Sequence, residues 1–503
     1  AVATVVPETL KQAADNDPDF NPEDVEGIGV DATGSTPMPV DSRGKPLGLL
    51  PEFNNNLNAM AWLWKDHTSH AEAEEITAGA DEKRPEYLAK CGGIYSSEWF
   101  WSKALHCRRT DPAVFEAAHS FVELADYIPA MLAGRTEPDR VVRGICMAGH
   151  KAMFNNAWNG LPDKEFLSML DPEMAGLRDR LYDKAFTSDK PAGRLSQEQA
   201  SSLGLKGGIP IAVGALDAHT GAVGAGIREG TLVKVLGTSS CDMMVAPNTV
   251  EIADIPGVCG VVDGSILPGF YGIEAGQSAV GDIFLWFVKN MAPDSYGNDI
   301  DEKFKGLAES ARNIAPGGHG LLALDWNNGN RCVLVDPRLT GLIIGQTLHT
   351  KAHEIYRALI EASAFGALTI IERIEEYGIG IREVVNCGGL AEKNSMLMQI
   401  YADIMGRPMK IARSEQTCAV GAALFGSVAA GKDNGGFDGI EEAQNVICGL
   451  KDEQYSPDPA RNSVYRDLYR LYRRLHDAFG TSGWNGKLND VMKELIRIRE
   501  RSG

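Results

Sequence analysis

Short β-branched runs alternate with long stretches of helical periodicity along the chain. VEGIGVDATGS (25–35) is a strand-like run that ends in a polar, glycine-bearing turn, as at the C-terminal end of a strand in an α/β sheet. GKPLGLL predicts a turn followed by a second extended piece. From 55 to 190 the apolar positions fall mostly at helical spacing and are rich in Trp and Tyr, as in AWLWKDHTSHAEAEEIT, SSEWFWSKALHCRR and FVELADYIPAMLAG. GGIPIAVGAL (207–216) predicts a buried strand running straight into DAHTGAVGAG.

After Gly226, IREGTLVKVLGTSSCDMMVAP predicts a turn, the strand TLVKVL, a tight GTSS turn and a second strand. Such a hairpin opens a new domain, so a boundary is placed near 229, giving domains 1–229 and 230–503. Residues 352–378 predict a long helix with many small residues, suited to close packing. REVVNCGG (382–389) predicts a strand ending in a double glycine. The next helix (394–406) carries a stripe of Leu397, Ile400, Tyr401 and Ile404, and 417–431 is another small-residue helix. In the tail, Val464, Leu468, Leu471, Leu475 and Phe479 predict a helix that packs on the body or on a partner chain. The alternation makes the class α/β.

Composition narrows the function. The 503 residues suffice for two or three domains, and 44% hydrophobic with 23% charged residues is ordinary for a globular chain. A net charge of -19 disfavours a nucleic-acid partner and an anionic membrane surface. Nine cysteines, without CxxC or other metal-type spacing, read as buried thiols in a reducing compartment, so a cytoplasmic location is expected. No apolar run approaches the length of a membrane span, and no charged-then-apolar leader is seen.

Three glycine-bearing turns follow predicted strands: GALD (214–217), GTSS (237–240) and CGGLAEKN (387–394). None matches the P-loop or the dinucleotide fingerprint. Singly each reads as a structural turn; three at strand ends offer N–H groups and hydroxyls to phosphate oxygens. Asp217 has two readings, a helix N-cap or a general base that takes a proton from an attacking hydroxyl. WKDH (64–67) offers an aromatic face with charged groups for a polyol, or a solvated helix with a buried Trp. His67 and His70 have HxxH spacing without a third ligand nearby, so no metal ligands are assigned. AGHK and IEAGQS place Lys151, Glu274 and Gln277 beside small residues and do not discriminate alone.

GVDATGSTPMPVD, WLWKDHT, GGIYSSEWFW, AGHK, GALDAHTGAVGAG, VKVLGTSSCD, GIEAGQSAVGDI, LDWNNG and NCGGLAEKNSMLMQIYAD occur in this order. Together, from about 20 to about 430, they resemble the FGGY family of carbohydrate kinases. GGIYSSEWFW and DATGSTP are similar to the members that act on the ketopentose L-ribulose in arabinose breakdown. The resemblance implies two ribonuclease-H-like domains of the actin and hexokinase type, with ATP and sugar meeting in the cleft between them. It implies Asp217 as catalytic base, the small residues around it letting sugar and γ-phosphate approach. Gly237, Thr238 and Ser239 would hold ATP phosphates, Gly388, Gly389 and Asn394 would lie against the adenosine, and Gly276 with Gln277 would line the nucleotide side. Asp31, Ala32, Thr33, Ser35, Thr36, Asp66, Lys151 and Glu274 would surround the sugar. Mg²⁺ would accompany the ATP, and the implied oligomer is a homodimer.

The match departs from the family at its start. Members open with a strand, a D-x-G-[ST] turn facing ATP phosphate and Mg²⁺, and a returning strand; nothing like it precedes VEGIGVDATGS. The first 24 residues resemble the helix after that hairpin. The sequence is expected either to begin inside a longer chain or to lack its first phosphate turn, leaving the N-terminal sheet short of pairing partners. Two rivals stand beside an L-ribulose kinase: a related kinase acting on D-xylulose, and a non-catalytic sugar- or nucleotide-binding protein.

Overall fold

The computed structural model describes residues 2–502. Its C-terminal half is built on a seven-stranded mixed sheet. Leu450–Tyr455 forms one edge, followed by Met409–Ala412, Glu383–Cys387, Thr231–Leu236, Ser240–Pro247, Phe270–Gln277 and Gly260–Asp263. Thr231–Leu236 runs parallel to Glu383–Cys387, and that strand runs parallel to Met409–Ala412. The TLVKVL strand and its GTSS turn are where the sequence predicts them, as is the strand before the double glycine.

The helix Ala352–Glu376 is buried along most of its length against this sheet and the helix Ser395–Met405. The tail forms the helix Pro459–Gly480, which begins where Asp458 accepts the N–H groups of Ala460 and Arg461 and Pro459 presets the first turn. Its Leu468, Leu471 and Leu475 stripe packs on the body, joining the main core.

The N-terminal half pairs its strands two by two: Asp31–Ala32 with Ala215–Leu216, Pro37–Val40 with Ser120–Glu123, and Pro191–Arg194 with Pro210–Ala212. The expected continuous strand at 207–216 is therefore broken at Val213–Gly214. GKPLGLL supplies a 3₁₀ turn at Leu47–Leu49; the extended piece is Pro37–Val40, just before it. Around these pairings lie the predicted helices, among them His70–Lys83, Phe100–Thr110 and Ile145–Ala152. Tyr95 and Trp101 fix the last of these, donating to the carbonyls of Lys151 at 2.6 Å and Ala152 at 2.8 Å.

The two halves meet through the small-residue helices Asp217–Gly224 and Thr417–Ala430. A Cβ on Gly421 would stand 1.8 Å from the Thr220 carbonyl oxygen, and one on Gly224 would stand 2.0 Å from that of Thr417. The glycines serve this backbone-to-backbone contact. This packing role stands beside the ligand access that the resemblance implies for the small residues around Asp217.

Candidate active site

The parallel pairing aligns Asp31 with Ala215 and Ala32 with Leu216, so two carboxylates emerge near one another at the strand ends. Leu216 occupies the cap position and Asp217 is the first helical residue, its Oδ1 accepting the Ala218 N–H at 2.7 Å. It is therefore not the N-cap that the structural reading required. Burial raises the Asp217 carboxyl above the usual range; the Ala218 N–H and His219 oppose this, and the charges of Asp31 and Glu274 add to it. Asp31 is likewise raised by burial, offset by the Thr220 hydroxyl at 3.3 Å.

Beside Asp217 lies a buried polar cluster. Lys151, on the helix Ile145–Ala152, places Nζ 2.7 and 3.0 Å from the two oxygens of Glu274, on the strand Phe270–Gln277. The ammonium also lies 5.6 Å from the centroid of the Trp99 ring. His219 Nε2 reaches Glu274 Oε2 at 3.2 Å. Burial opposes ionisation of Glu274, but Lys151 and the two histidines outweigh it and hold the carboxyl well below the usual range. Among the described residues, His150, His219 and Glu274 are a trio whose ligand-type atoms all lie within 4.8 Å. Lys151 already supplies a positive charge there.

The DATGST turn is held from inside. Glu123 accepts the Ser35 hydroxyl and, at 2.6 Å, the Thr36 N–H; the Thr33 and Thr36 hydroxyls meet at 3.1 Å. Lys103, itself buried, donates to the carbonyls of Ser35 at 2.7 Å and Leu63 at 2.9 Å. Ser35 and Thr36 are thus buried with their polar groups committed to the protein, instead of facing a ligand as expected. Ala32 is buried and brings no polar side chain. Asp66 is half-buried and accepts the N–H and hydroxyl of Thr68 at 2.8 and 2.6 Å.

The phosphate-type turns emerge at the carboxyl ends of adjacent parallel strands, where α/β sheets place ligands. Thr238 is exposed and Ser239 half-buried, and neither hydroxyl has a hydrogen-bond partner among the described residues. Gly388, at φ +93, backs onto the Leu236 carbonyl, which a Cβ would approach to 2.4 Å, whereas Gly389 faces open space. Two expected contacts turn inward. Gln277 donates to Asp325 at 2.7 Å and to the Ser363 carbonyl at 2.8 Å, bracing the strand from beneath while Gly276 packs on Ser240. Asn394 caps the helix Ser395–Met405 by accepting the Leu397 N–H at 3.0 Å.

A cavity of about 770 Å³ opens beside Glu274 and Trp99, walled by residues 67–99 of one half and 328–338 of the other. Arg331 bridges its walls, with Nη2 3.0 Å from Glu98 and its guanidinium 5.8 Å from the Trp64 ring centroid. Glu123, Lys103, Trp99 and Arg331 were not singled out by the sequence. Trp99 lies within GGIYSSEWFW, but the other three carry no local signature.

The domain models of the FGGY family of carbohydrate kinases match residues 1–224 (N-terminal domain) and 232–430 (C-terminal domain). A ribulokinase of Geobacillus thermodenitrificans is 42% identical over 506 residues, covering 99% of this chain and 86% of its own. One from Vibrio parahaemolyticus is 42% identical over 490 residues, covering 94% and 84%. Among solved structures, a xylulose kinase from Rhodospirillum rubrum superimposes with a TM-score of 0.74 at 22% identity, covering 94% of this chain and 87% of that one. Fold and cleft together define the class: a two-domain sugar kinase with the actin and hexokinase architecture. The chain belongs to the FGGY family of carbohydrate kinases.

Proposed function

We propose that the chain transfers the γ-phosphoryl group of ATP to the terminal hydroxyl of the ketopentose L-ribulose. The observation that carries this reading is the placement of Asp217, half-buried and raised in pKa, beside the buried Lys151–Glu274 pair. The choice of sugar is supported by the ribulokinase relatives at 42% identity across 94–99% of the chain.

Asp217 accepts the proton of the attacking hydroxyl as its oxygen bonds to the γ-phosphorus and the bond from phosphorus to the β–γ bridging oxygen breaks, releasing ADP. Lys151 and Glu274 hold sugar hydroxyls, with Trp99 offering a face to the carbon chain; Thr33 and Asp66 are further sugar contacts by the family resemblance. Thr238 and Ser239 offer free hydroxyls to the phosphates, and Gly389 leaves open space for the adenosine. Asp31 is the carboxylate that fits Mg²⁺, because it is half-buried and no cationic side chain bonds it among the described residues. When bound with ATP, Mg²⁺ neutralises phosphate charge.

The same reading divides the chain into a sugar-binding domain at 1–229 and a nucleotide-binding domain at 230–503. It also places the protein in a reducing compartment, in keeping with nine free cysteines. Among the described residues, no helix is long and apolar enough to cross a membrane.

The test is ADP release with Mg·ATP, offering L-ribulose and then D-xylulose. Turnover on L-ribulose is expected. Turnover on D-xylulose alone would transfer the assignment to that sugar, and ATP binding without turnover on either would mark a binding protein.

A further inference from the structure

Glu274 is held from two sides by groups far apart in sequence. Lys151 Nζ bonds both of its oxygens, and His219 Nε2 bonds Oε2 at 3.2 Å. The other face of the His219 ring is also tied: Nδ1 lies 3.0 Å from Cys146 Sγ. That sulfur accepts the Leu216 N–H at 3.5 Å, so the ring is anchored to the strand end that leads into Asp217. His150 packs edge-on against His219, with ring centroids 4.8 Å apart at 85°, and bonds Ser265 through Nε2 at 2.9 Å. Cys146, His219, Lys151 and Glu274 are all buried.

A divalent cation is the competing occupant of this cluster, since His150, His219 and Glu274 are near ligating distance of one another. It would have to displace the Lys151 ammonium from both carboxylate oxygens and remove the hydrogen by which His219 holds Oε2. Burial alone would keep the imidazole neutral, but Cys146 and Glu274 push its pKa up to about 10, giving it a hydrogen for each neighbour. The charge balance favours the protein's own cations.

We infer that His219 is a positioning residue of the sugar site: its Nε2–H fixes the Glu274 carboxylate, and Cys146 fixes the ring. Oε2 then carries two protein hydrogen bonds and Oε1 carries one, from Lys151. The remaining lone pair of Oε1 is left for a sugar hydroxyl. Lys151, held by the same carboxylate, keeps its third hydrogen for the ligand.

This inference rests on the reading that Lys151 and Glu274 bind the sugar, and the experiment separates the two. An Asn at 219 places its amide where Nδ1 lies and loses Glu274; a Gln reaches the Nε2 position and keeps it. With full-length variants checked for folding by their melting transitions, His219→Asn is expected to raise the KM for L-ribulose about 10- to 100-fold, leaving the KM for ATP unchanged. His219→Gln is expected to recover most of that loss. Equal sugar KM values for the Asn and Gln variants would overturn the positioning role. Should His219→Asn not fold, Cys146→Ala gives the same readout: loss of the ring anchor raises the sugar KM several-fold, roughly the worth of one hydrogen bond, and no change overturns the proposal. Glu274→Gln is the control: if it binds and turns over L-ribulose like wild type, the sugar-site reading itself fails, whereas an impaired Glu274→Gln beside an unimpaired His219→Asn defeats the inference alone.

Discussion

The carbonyl oxygen of Thr220 faces Gly421 so closely that a Cβ on the glycine would stand 1.8 Å away. Thr220 also donates to Asp31 at 3.3 Å, so the helix contact between the halves continues directly into the candidate site. Gly421→Ala must separate two backbones, and overpacking of this kind costs about 1–3 kcal/mol. We expect a lower denaturant midpoint together with reduced kcat/KM. Gly439→Ala, where a Cβ meets nothing within 4 Å, is the matched control. A Gly421→Ala protein as stable as the control would refute the close-approach argument.

Asp217→Asn separates a catalytic role from a purely structural one. If the carboxylate is the base, transfer falls about 10²–10⁴-fold while ATP binding is kept. Because burial raises this carboxyl, the folded state prefers it protonated. Its stabilising contribution is present below the ordinary aspartate pKa and lost as pH rises through the folded value. Asp217→Asn is therefore expected to melt no lower than wild type at neutral pH, with its advantage shrinking in acid. Activity runs the other way: a base must be ionised, so wild-type kcat/KM falls in acid through a pKa above the ordinary 3.8. Melting curves and a pH–rate profile check both, and a destabilised variant with normal turnover would make Asp217 a structural residue.

Lys103 supplies a second pH signature. Burial lowers its pKa from 10.5 to about 8, although Glu123, Glu98 and Asp66 oppose this. A base depressed by folding contributes stability that is complete above the unfolded pKa and is lost as pH falls to the folded one. Relative to Lys103→Met, wild type should thus gain stability between about pH 8 and 10.5, by roughly 3 kcal/mol in all. The same substitution frees the Ser35 and Leu63 carbonyls and loosens the DATGST turn, so sugar KM should rise more than ATP KM. A stability difference that is flat across this range would mean that Lys103 titrates normally.

Much of this architecture is written locally. TLVKVL is a β-branched, largely apolar run that ends at Gly237, and REVVNCGG ends at a double glycine that needs positive φ at Gly388; both strands form there. Asp217 stands out because a lone acid follows a strand and precedes small residues. Glu123 does not, since FVELADYIPAMLAG has helical spacing throughout. Yet Ser120–Glu123 is extended because it pairs with Pro37–Val40, and helix begins at Leu124. Tertiary pairing overrides local preference there. Ser35 and Gln277 are expected as ligand contacts only through the family resemblance, since their own stretches do not discriminate. Their partners, Glu123 and Asp325, lie 88 and 48 residues away, and no local pattern announces a buried acceptor at that distance.

Arg331 offers a test of how the cleft is held. It carries the loop at 328–338 to Glu98 of the other half at 3.0 Å and lies over Trp64, with both charged side chains largely shielded from water. A guanidinium can bond a carboxylate in its plane while its face lies on an aromatic ring; an ammonium cannot do both. Arg331→Lys should therefore behave more like Arg331→Met than like wild type, with a raised sugar KM and an unchanged ATP KM. A double-mutant cycle of Arg331→Met with Glu98→Gln should return a coupling of about 0.5–3 kcal/mol in unfolding, as for residues in direct contact. Additive effects would mean that the bridge is incidental to how the halves are held together.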